Sequence, residues 1–390
     1  MSEAYIVSAV RTAGGRRGGR LSGWHPADLA AQVLNSVVDR INADPALIDD
    51  VIMGCVGQAG EQSVNIGRNA VMSSKLPDEV PATSIDRQCG SSQQAVHFAA
   101  MSVMSGYQDI VIAAGVESMT RVPMGAPTTL ALKAGMGGPN GKALLERFNN
   151  VIPSQFTGAE MIAKKHGLTR EVLDAFGYKS HLRAIAATKA NAFDAEILPI
   201  EIILEDGSTE MHTVDEGIRF DATLEAMQGV KLLTEGGVIT AATASQICDG
   251  ASAVMVVNEK GLKKLGVEPL ARIHHLHVTG GDPVVMLEAP IPATQQALKR
   301  VGMSINDIDL YEVNEAFAPI PLAWLKTIGA DSDRLNVNGG AIALGHPLGS
   351  SGTKLMTTLL HALKARGKRY GLQTMCEGGG MANVTILEAL

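Results

Sequence analysis

Short apolar strands alternating with helical stretches predict an α/β fold, and an internal repeat predicts two similar halves. A third observation is that residues 119–245 lie outside the repeat and read as an insertion. The repeat opens with Tyr5-Ile6-Val7-Ser8-Ala9-Val10 leading to Thr12-Ala13-Gly14-Gly15, matched by residues 271–278 leading to Thr279-Gly280-Gly281. Ile48-Asp49-Asp50-Val51-Ile52 recurs in style as Asp307-Ile308-Asp309-Leu310-Tyr311. Cys89-Gly90-Ser91-Ser92 and Leu348-Gly349-Ser350-Ser351 each open a helical stretch. A strand follows each, at residues 109–114 and 370–375, and ends in a turn carrying Glu117 or Glu377. The offset drifts only from about 267 to about 259 residues, and a near-constant offset outweighs any single match.

Residues 27–41 place Leu29, Val33, Val37 and Ile41 four apart, which makes one apolar helix face, and Pro26 suits its first turn. The insertion is rich in Gly, Met and Pro over residues 123–141, then helical over 155–166 and 170–190. Loops inserted on a rigid scaffold are where substrate selection sits. Residues 253–257 read as a strand returning to the first half. The expected boundaries are 1–118 plus 246–269 for the first half, 119–245 for the insertion and 270–390 for the second half.

Bulk composition narrows the class. The chain has 390 residues, 46% of them hydrophobic and 19% charged, enough for two or three domains with sizeable cores and too apolar for disorder. No apolar run reaches the ~20 residues of a membrane-spanning helix. Residues 1–7 lack a basic region and read as a strand, so no signal peptide is expected. Cys55, Cys89, Cys248 and Cys376 lie far apart, which fits reduced thiols and a cytoplasmic location. A net charge of −7 argues against nucleic acid as a main partner.

Four segments carry residues suited to chemistry. Cys89 precedes small residues and a helix, where unpaired N–H groups and the dipole are expected to lower its pKa; a buried structural cysteine is the alternative. His346 lies between Gly345 and Pro347 on a tight loop, at nearly the place in the second half that Cys89 holds in the first. Histidine is the natural base for a thiol near neutral pH. Cys376 is followed by Glu377 and then Gly378-Gly379-Gly380, whose N–H groups could form an oxyanion hole or simply a Gly-rich hairpin. Asn314, in Glu312-Val313-Asn314-Glu315-Ala316-Phe317, could donate to an oxyanion or a water, or merely cap a strand.

Together these segments closely resemble the thiolase family, over the whole chain and with all four motifs in order. The resemblance implies two duplicated α/β halves in a five-layered α-β-α-β-α arrangement with an inserted loop domain. It also implies that Cys89 is the acylated nucleophile and that His346 activates it and helps form an oxyanion hole. Cys376 becomes the acid/base toward the second substrate's α-carbon, and Asn314 holds a water in the first oxyanion hole. The N–H groups of Cys89 and Gly378 form the second. Such a site needs no metal and no permanently bound cofactor, and coenzyme A is the implied substrate. Arg219, ahead of Ala222-Thr223-Leu224, matches the family's adenine-nucleotide contact; Ser245 matches its pantetheine contact, and Phe317 is expected to line the pantetheine tunnel. A homodimer or homotetramer is implied, with residues 123–141 as a candidate tetramer contact.

Ala242-Thr243 and Gln93-Gln94 depart from the commoner family pattern, and are expected near the pocket, where they bear on acyl shape. The segment from Gln88 to Gln94 looks more like degradative 3-ketoacyl-CoA thiolases, including those of steroid breakdown, than like acetoacetyl-CoA-forming enzymes. Biosynthetic condensation of two acetyl-CoA is the first alternative. A decarboxylating ketoacyl synthase is disfavoured by Cys376, and a non-catalytic acyl-CoA or lipid-binding protein by retention of the four catalytic positions. Arg11, Arg16, Arg17 and Arg20 read as a solvated basic loop. Of His274, His275 and His277, only the last two share a strand face, so no metal site is expected.

Overall fold

A computed structural model describes residues 2–390 of the chain. The first half begins with β1 (Tyr5–Thr12), the short β2 (Gly15–Arg16), α1 (Pro26–Asp39), β3 (Asp50–Gly54) and α2 (Ile66–Met72). It continues with β4 (Ala82–Ile85), α3 (Ser91–Ser105) and β5 (Ile110–Ser118). Next come α4 (Ala126–Lys133), α5 (Lys142–Arg147), α6 (Gln155–His166), α7 (Arg170–Lys189), β6 (Ile197–Leu198), the hairpin of β7 (Ile200–Ile203) and β8 (Thr209–His212), and α8 (Leu224–Gln228). The chain then returns through β9 (Cys248–Val257) and α9 (Glu259–Leu265). The second half contains β10 (Ala271–Gly280), α10 (Pro290–Val301), β11 (Leu310–Val313), α11 (Pro319–Ile328), α12 (Ala341–Leu344), α13 (Ser351–Ala365), β12 (Tyr370–Glu377) and β13 (Met381–Ala389).

The strands run in the order β11-β12-β13-β10-β1-β9-β5-β3-β4. β1 and β10 touch only at Tyr5↔Arg272 and Ile6↔Ala271, so the order divides there into two sheets. Their topologies correspond: β10 stands for β1, β13 for β9, β12 for β5 and β11 for β3. β3–β5 and β11–β12 are parallel, whereas β5–β9 and β12–β13 are antiparallel. A parallel bridge from Tyr311 to Leu335 takes the place of the β3–β4 pairing.

Neighbouring residues on a strand point to opposite faces, and that alternation builds the layers. On the outer face of the first sheet, Ile112 and Met255 pack with Leu29 and Val33 of α1 and Ile66 of α2. On its inner face, Val111 and Val254 pack with Val96 of α3, Leu359 of α13, and Ile273 and Leu387 of the second sheet. Beyond that sheet, Val384 and Ile386 pack with Leu298 of α10 and Trp324 of α11. Five layers, α-β-α-β-α, follow. Both faces of β5 and β9 are covered, and every residue of each is buried, as their near-continuous apolar sequences require.

α3 and α13 meet in the middle layer. A Cβ on Gly352 would come within 2.0 Å of Gln93 N, so only glycine permits the approach. Thr353 N donates to Ser92 Oγ at 3.0 Å across the same contact. Gln93 and Gln94 are buried here and not in the acyl pocket where they were expected. Gln93 Nε2 donates to Thr385 Oγ1 at 2.9 Å, and Gln94 Oε1 accepts from Asn383 Nδ2 at 3.1 Å. They lock the Cys89 helix to β13; they do not shape a ligand.

Two other expectations change. α1 stops at Asp39, so Ile41 packs from the following turn, where Asn42 takes a left-handed conformation with φ 50°. Arg11 is not solvated: it is fully buried, its Nη1 and Nη2 bonding Asp215 at 2.9 and 3.0 Å and its Nε bonding Glu196 at 2.6 Å. Both acidic partners come from the segment between β5 and β9, and β6 of that segment extends the first sheet beside β1. The segment is thus tied to the first half by charge and by backbone pairing. Among the described residues, no helix is long and apolar enough to cross a membrane.

Candidate active site

Cys89 stands on a tight turn that ties itself together. Gln88 adopts φ 50°, a conformation a side chain rarely takes, and its N–H donates to Asp86 Oδ1 at 2.6 Å. Ser91 Oγ accepts from Arg87 N at 2.9 Å and donates to Gln88 O at 2.6 Å. Helix α3 starts two residues later, with Gly90 as its N-cap.

The helix start does not make this thiol acidic. Burial pushes Cys89 up to about 12, and the carboxyl groups of Glu377 and Glu117 act the same way. The backbone N–H groups of Cys89 itself and of Gly378 reach the sulfur and pull in the other direction, but burial outweighs them. The thiol is therefore neutral at rest and needs a base.

The base expected from the sequence is His346. It is buried, and burial followed by the nearby charge of Lys354 pushes it down to about 3, so the ring is neutral. Its Nε2 lies 3.3 Å from Asn314 Nδ2, and its Nδ1 makes a short hydrogen bond to Ser351 Oγ. Buried Lys354 donates from Nζ to the carbonyls of Leu344 and Gly345, the latter at 3.0 Å, which fixes the loop just before the imidazole. On the Asn314 side, Glu315 accepts from Ser180 Oγ at 2.7 Å, Asn336 Nδ2 at 2.9 Å and Ile342 N at 3.1 Å.

Cys376 lies fully buried near the end of β12. Burial, then the neighbouring Cys89, then Glu377, push its thiol well above the ordinary value. Cys89, Cys376 and the Gly378 N–H are thus brought together from both halves, and the Asn314–His346 pair forms within the second half.

Arg219, Ser245 and Phe317 share one cavity of about 490 Å³ with His346. Met119, Met124 and Phe156 add apolar lining, and Phe156 meets Phe317 edge-on at 5.6 Å. Ser245 N donates to Ala316 O at 2.9 Å, which pins the segment before β9 beside Phe317. Arg219 is exposed and also borders a cavity of about 340 Å³ with His181, Thr223 and Ala242. Ala242 borders this second cavity and not the one shared by Ser245, Phe317 and His346, and its neighbour Thr243 is buried.

Sequence reasoning gave no role to Lys354, Ser351, Glu315 or Glu377. Lys354 falls among apolar residues on a helix, and nothing local marks it as the support of a loop ten residues earlier. Glu377 was noticed as a strand end, but its burial depends on the other half of the molecule.

The five-layered architecture and the meeting of Cys89 with Cys376 fit a class of acyl-transferring α/β proteins. Thiolase N-terminal and C-terminal domains match residues 4–260 and 267–389. A steroid 3-ketoacyl-CoA thiolase of Mycobacterium tuberculosis is 50% identical over 392 residues, covering 100% of this chain and 95% of the relative. A 3-ketoacyl-CoA thiolase of Citrobacter koseri is 40% identical over 406 residues, covering 100% and 99%. Among solved structures, an acetyl-CoA acetyltransferase of Bacillus anthracis superposes with a TM-score of 0.91 and human mitochondrial 3-ketoacyl-CoA thiolase with 0.89. Each is 34% identical, and each match covers 100% of this chain and 99% of the other. The chain belongs to the thiolase family.

Proposed function

We propose that this thiolase cleaves 3-ketoacyl-CoA with coenzyme A, releasing acetyl-CoA or propionyl-CoA and a shortened acyl-CoA. The observation that carries the chemistry is the convergence of the Cys89 and Gly378 N–H groups on the Cys89 sulfur, beside Cys376. His346 Nε2 takes the Cys89 proton as the sulfur attacks the 3-keto carbon. The oxyanion forms against the two backbone donors, each typically worth a few kcal/mol. The C2–C3 bond then breaks, and its electron pair passes into the thioester enolate of the leaving acyl-CoA. Asn314 and the protonated His346 hold that enolate oxygen, Asn314 through a water; its Oδ1, without a partner among the described residues, suits that role. Cys376 gives the enolate carbon a proton. Coenzyme A next enters, loses its thiol proton to Cys376, and attacks the acyl group on Cys89; the Cys89–acyl bond breaks and the leaving sulfur takes its proton back from His346, so the kinetics are ping-pong.

Arg219, Ser245 and Phe317 are read as contacts for coenzyme A, which makes residues 119–245 the coenzyme-binding insertion. The shared cavity supports this. The degradative direction is supported by the names of the relatives at 50% and 40% identity, and the steroid relative supports ring-bearing acyl groups. Condensation of two acetyl-CoA is the same site run backwards. A homodimer or homotetramer belongs to the same reading; Leu130, Leu132 and Met136, all exposed, support residues 123–141 as a contact. Four free cysteines support a reducing, cytoplasmic setting. A thiolysis screen over short, long and ring-bearing 3-ketoacyl-CoAs tests the function. Activity on the longer or ring-bearing substrates is expected, and activity confined to acetoacetyl-CoA would contradict it.

A further inference from the structure

Glu117 and Glu377 lie at corresponding strand ends of the two halves, but their surroundings differ. Glu117 accepts from Val56 N and Gly57 N at 2.9 Å each, from Gln62 Nε2 at 2.8 Å and from Gly349 N at 2.8 Å. Gly349 opens the turn into α13, so the first-half carboxylate holds the start of the opposite central helix. Glu377 takes the mirrored place, against Gly90 at the start of α3. A Cβ on Gly90 would come within 2.0 Å of its Oε1. Glu377 is 0% exposed, and neither oxygen has a hydrogen-bond partner among the described residues.

The groups that face it are few. Arg87 and Cys89 come from the loop before α3, Cys376 lies beside it on β12, and the Asn383 N–H approaches from β13. Leaving a buried carboxyl unpaired is costly when it is ionised. Burial raises Glu377 to about 8, against the opposing pull of Arg87 and of the Asn383 N–H. A negative charge there in turn opposes a thiolate on either cysteine.

We propose that Glu377 is a positioning residue that sets the charge state of both catalytic thiols. As a neutral acid it lets Cys89 ionise during attack; as a carboxylate it holds Cys89 and Cys376 as thiols. It exchanges only a proton with solvent, and no other bond changes. The inference rests on the reading of Cys89 as the nucleophile.

The test follows kcat/KM for thiolysis, and the rate of Cys89 alkylation by iodoacetamide, from pH 6 to 10 in the full-length enzyme. Wild type is expected to lose kcat/KM above about pH 8. Glu377→Gln should abolish that falling limb and raise the Cys89 alkylation rate between pH 9 and 10 by about tenfold. Glu377→Asp should retain the limb. A Glu377→Gln profile superposing on wild type would overturn the inference. Peptide mapping separates it from the parent reading: label on Cys376 in place of Cys89 overturns both, whereas label on Cys89 with an unmoved profile overturns this inference alone. If Glu377→Gln does not fold, infrared spectra of wild type decide. A protonated carboxyl band titrating near pH 8 and altered by Cys89 alkylation supports the inference; absence of such a band overturns it.

Discussion

Asn314 Nδ2 lies 3.3 Å from His346 Nε2, and an amide nitrogen only donates, so Nε2 is the acceptor of the resting imidazole. Nδ1 then carries the proton and gives it to Ser351 Oγ, which itself donates to Pro347 O at 2.9 Å. The hydrogen bonds assign this tautomer, and it leaves the lone pair on the nitrogen that receives the thiol proton in the proposed mechanism. Ser351→Ala removes the acceptor that holds the tautomer. Steady-state kinetics should show kcat falling about tenfold, ~1.4 kcal/mol, with KM little changed.

In the proposed mechanism Asn314 supports the first oxyanion hole, and Asn314→Ala removes that support. The expected loss is about 100-fold in kcat, the usual effect of deleting one such donor. Alkylation of Cys89 by iodoacetamide in the absence of substrate should persist, because the Cys89 turn is tied by Asp86 and Ser91 and not by Asn314.

Much of this was legible beforehand because the repeat is legible. The repeated segments marked β1 and β10, and the small residues after Cys89 and the Gly-rich loops around His346 and Cys376 needed no tertiary context to be noticed. What the sequence hid depends on the other half of the molecule. The low pKa expected for Cys89 came from counting one helix start, whereas burial under the second half decides it. Gln93 and Gln94 read as pocket residues because they follow the nucleophile, yet they face β13 across the middle layer. Arg11 read as solvated because its partners, Glu196 and Asp215, lie about 200 residues away in sequence.

Lys354→Met tests how the His346 loop is held. Lys354 is buried, bonds two loop carbonyls and lies 4.0 Å from Asp215. Removing its charge leaves these acceptors unpaired, a loss of about 3 kcal/mol. Thermal unfolding should show a lower Tm, and activity should fall even at temperatures where the variant stays folded.

Acid should destabilise the enzyme through its buried histidines. Burial pushes His97 and His346 down to about 3 and His181 to about 4, below the value of ~6.5 in an unfolded chain. A depressed folded value means stability that is complete above ~6.5 and lost as pH falls toward 3, because the unfolded chain binds the protons first. Tm should therefore decline from about pH 6.5 downward. His97→Gln, with one such group fewer, should show a shallower decline. His97 also bonds Thr385 and Asn383, so its Tm at pH 8 should be lower than wild type.

The most direct measurement is intact-mass and peptide-level mass spectrometry of the enzyme after brief exposure to a 3-ketoacyl-CoA without free coenzyme A. A mass increase equal to the shortened acyl group, located on Cys89 and discharged by added coenzyme A, is the predicted result. An acyl group located on Cys376, or turnover with no covalent acyl-enzyme and with Cys89→Ala still active, would contradict the account.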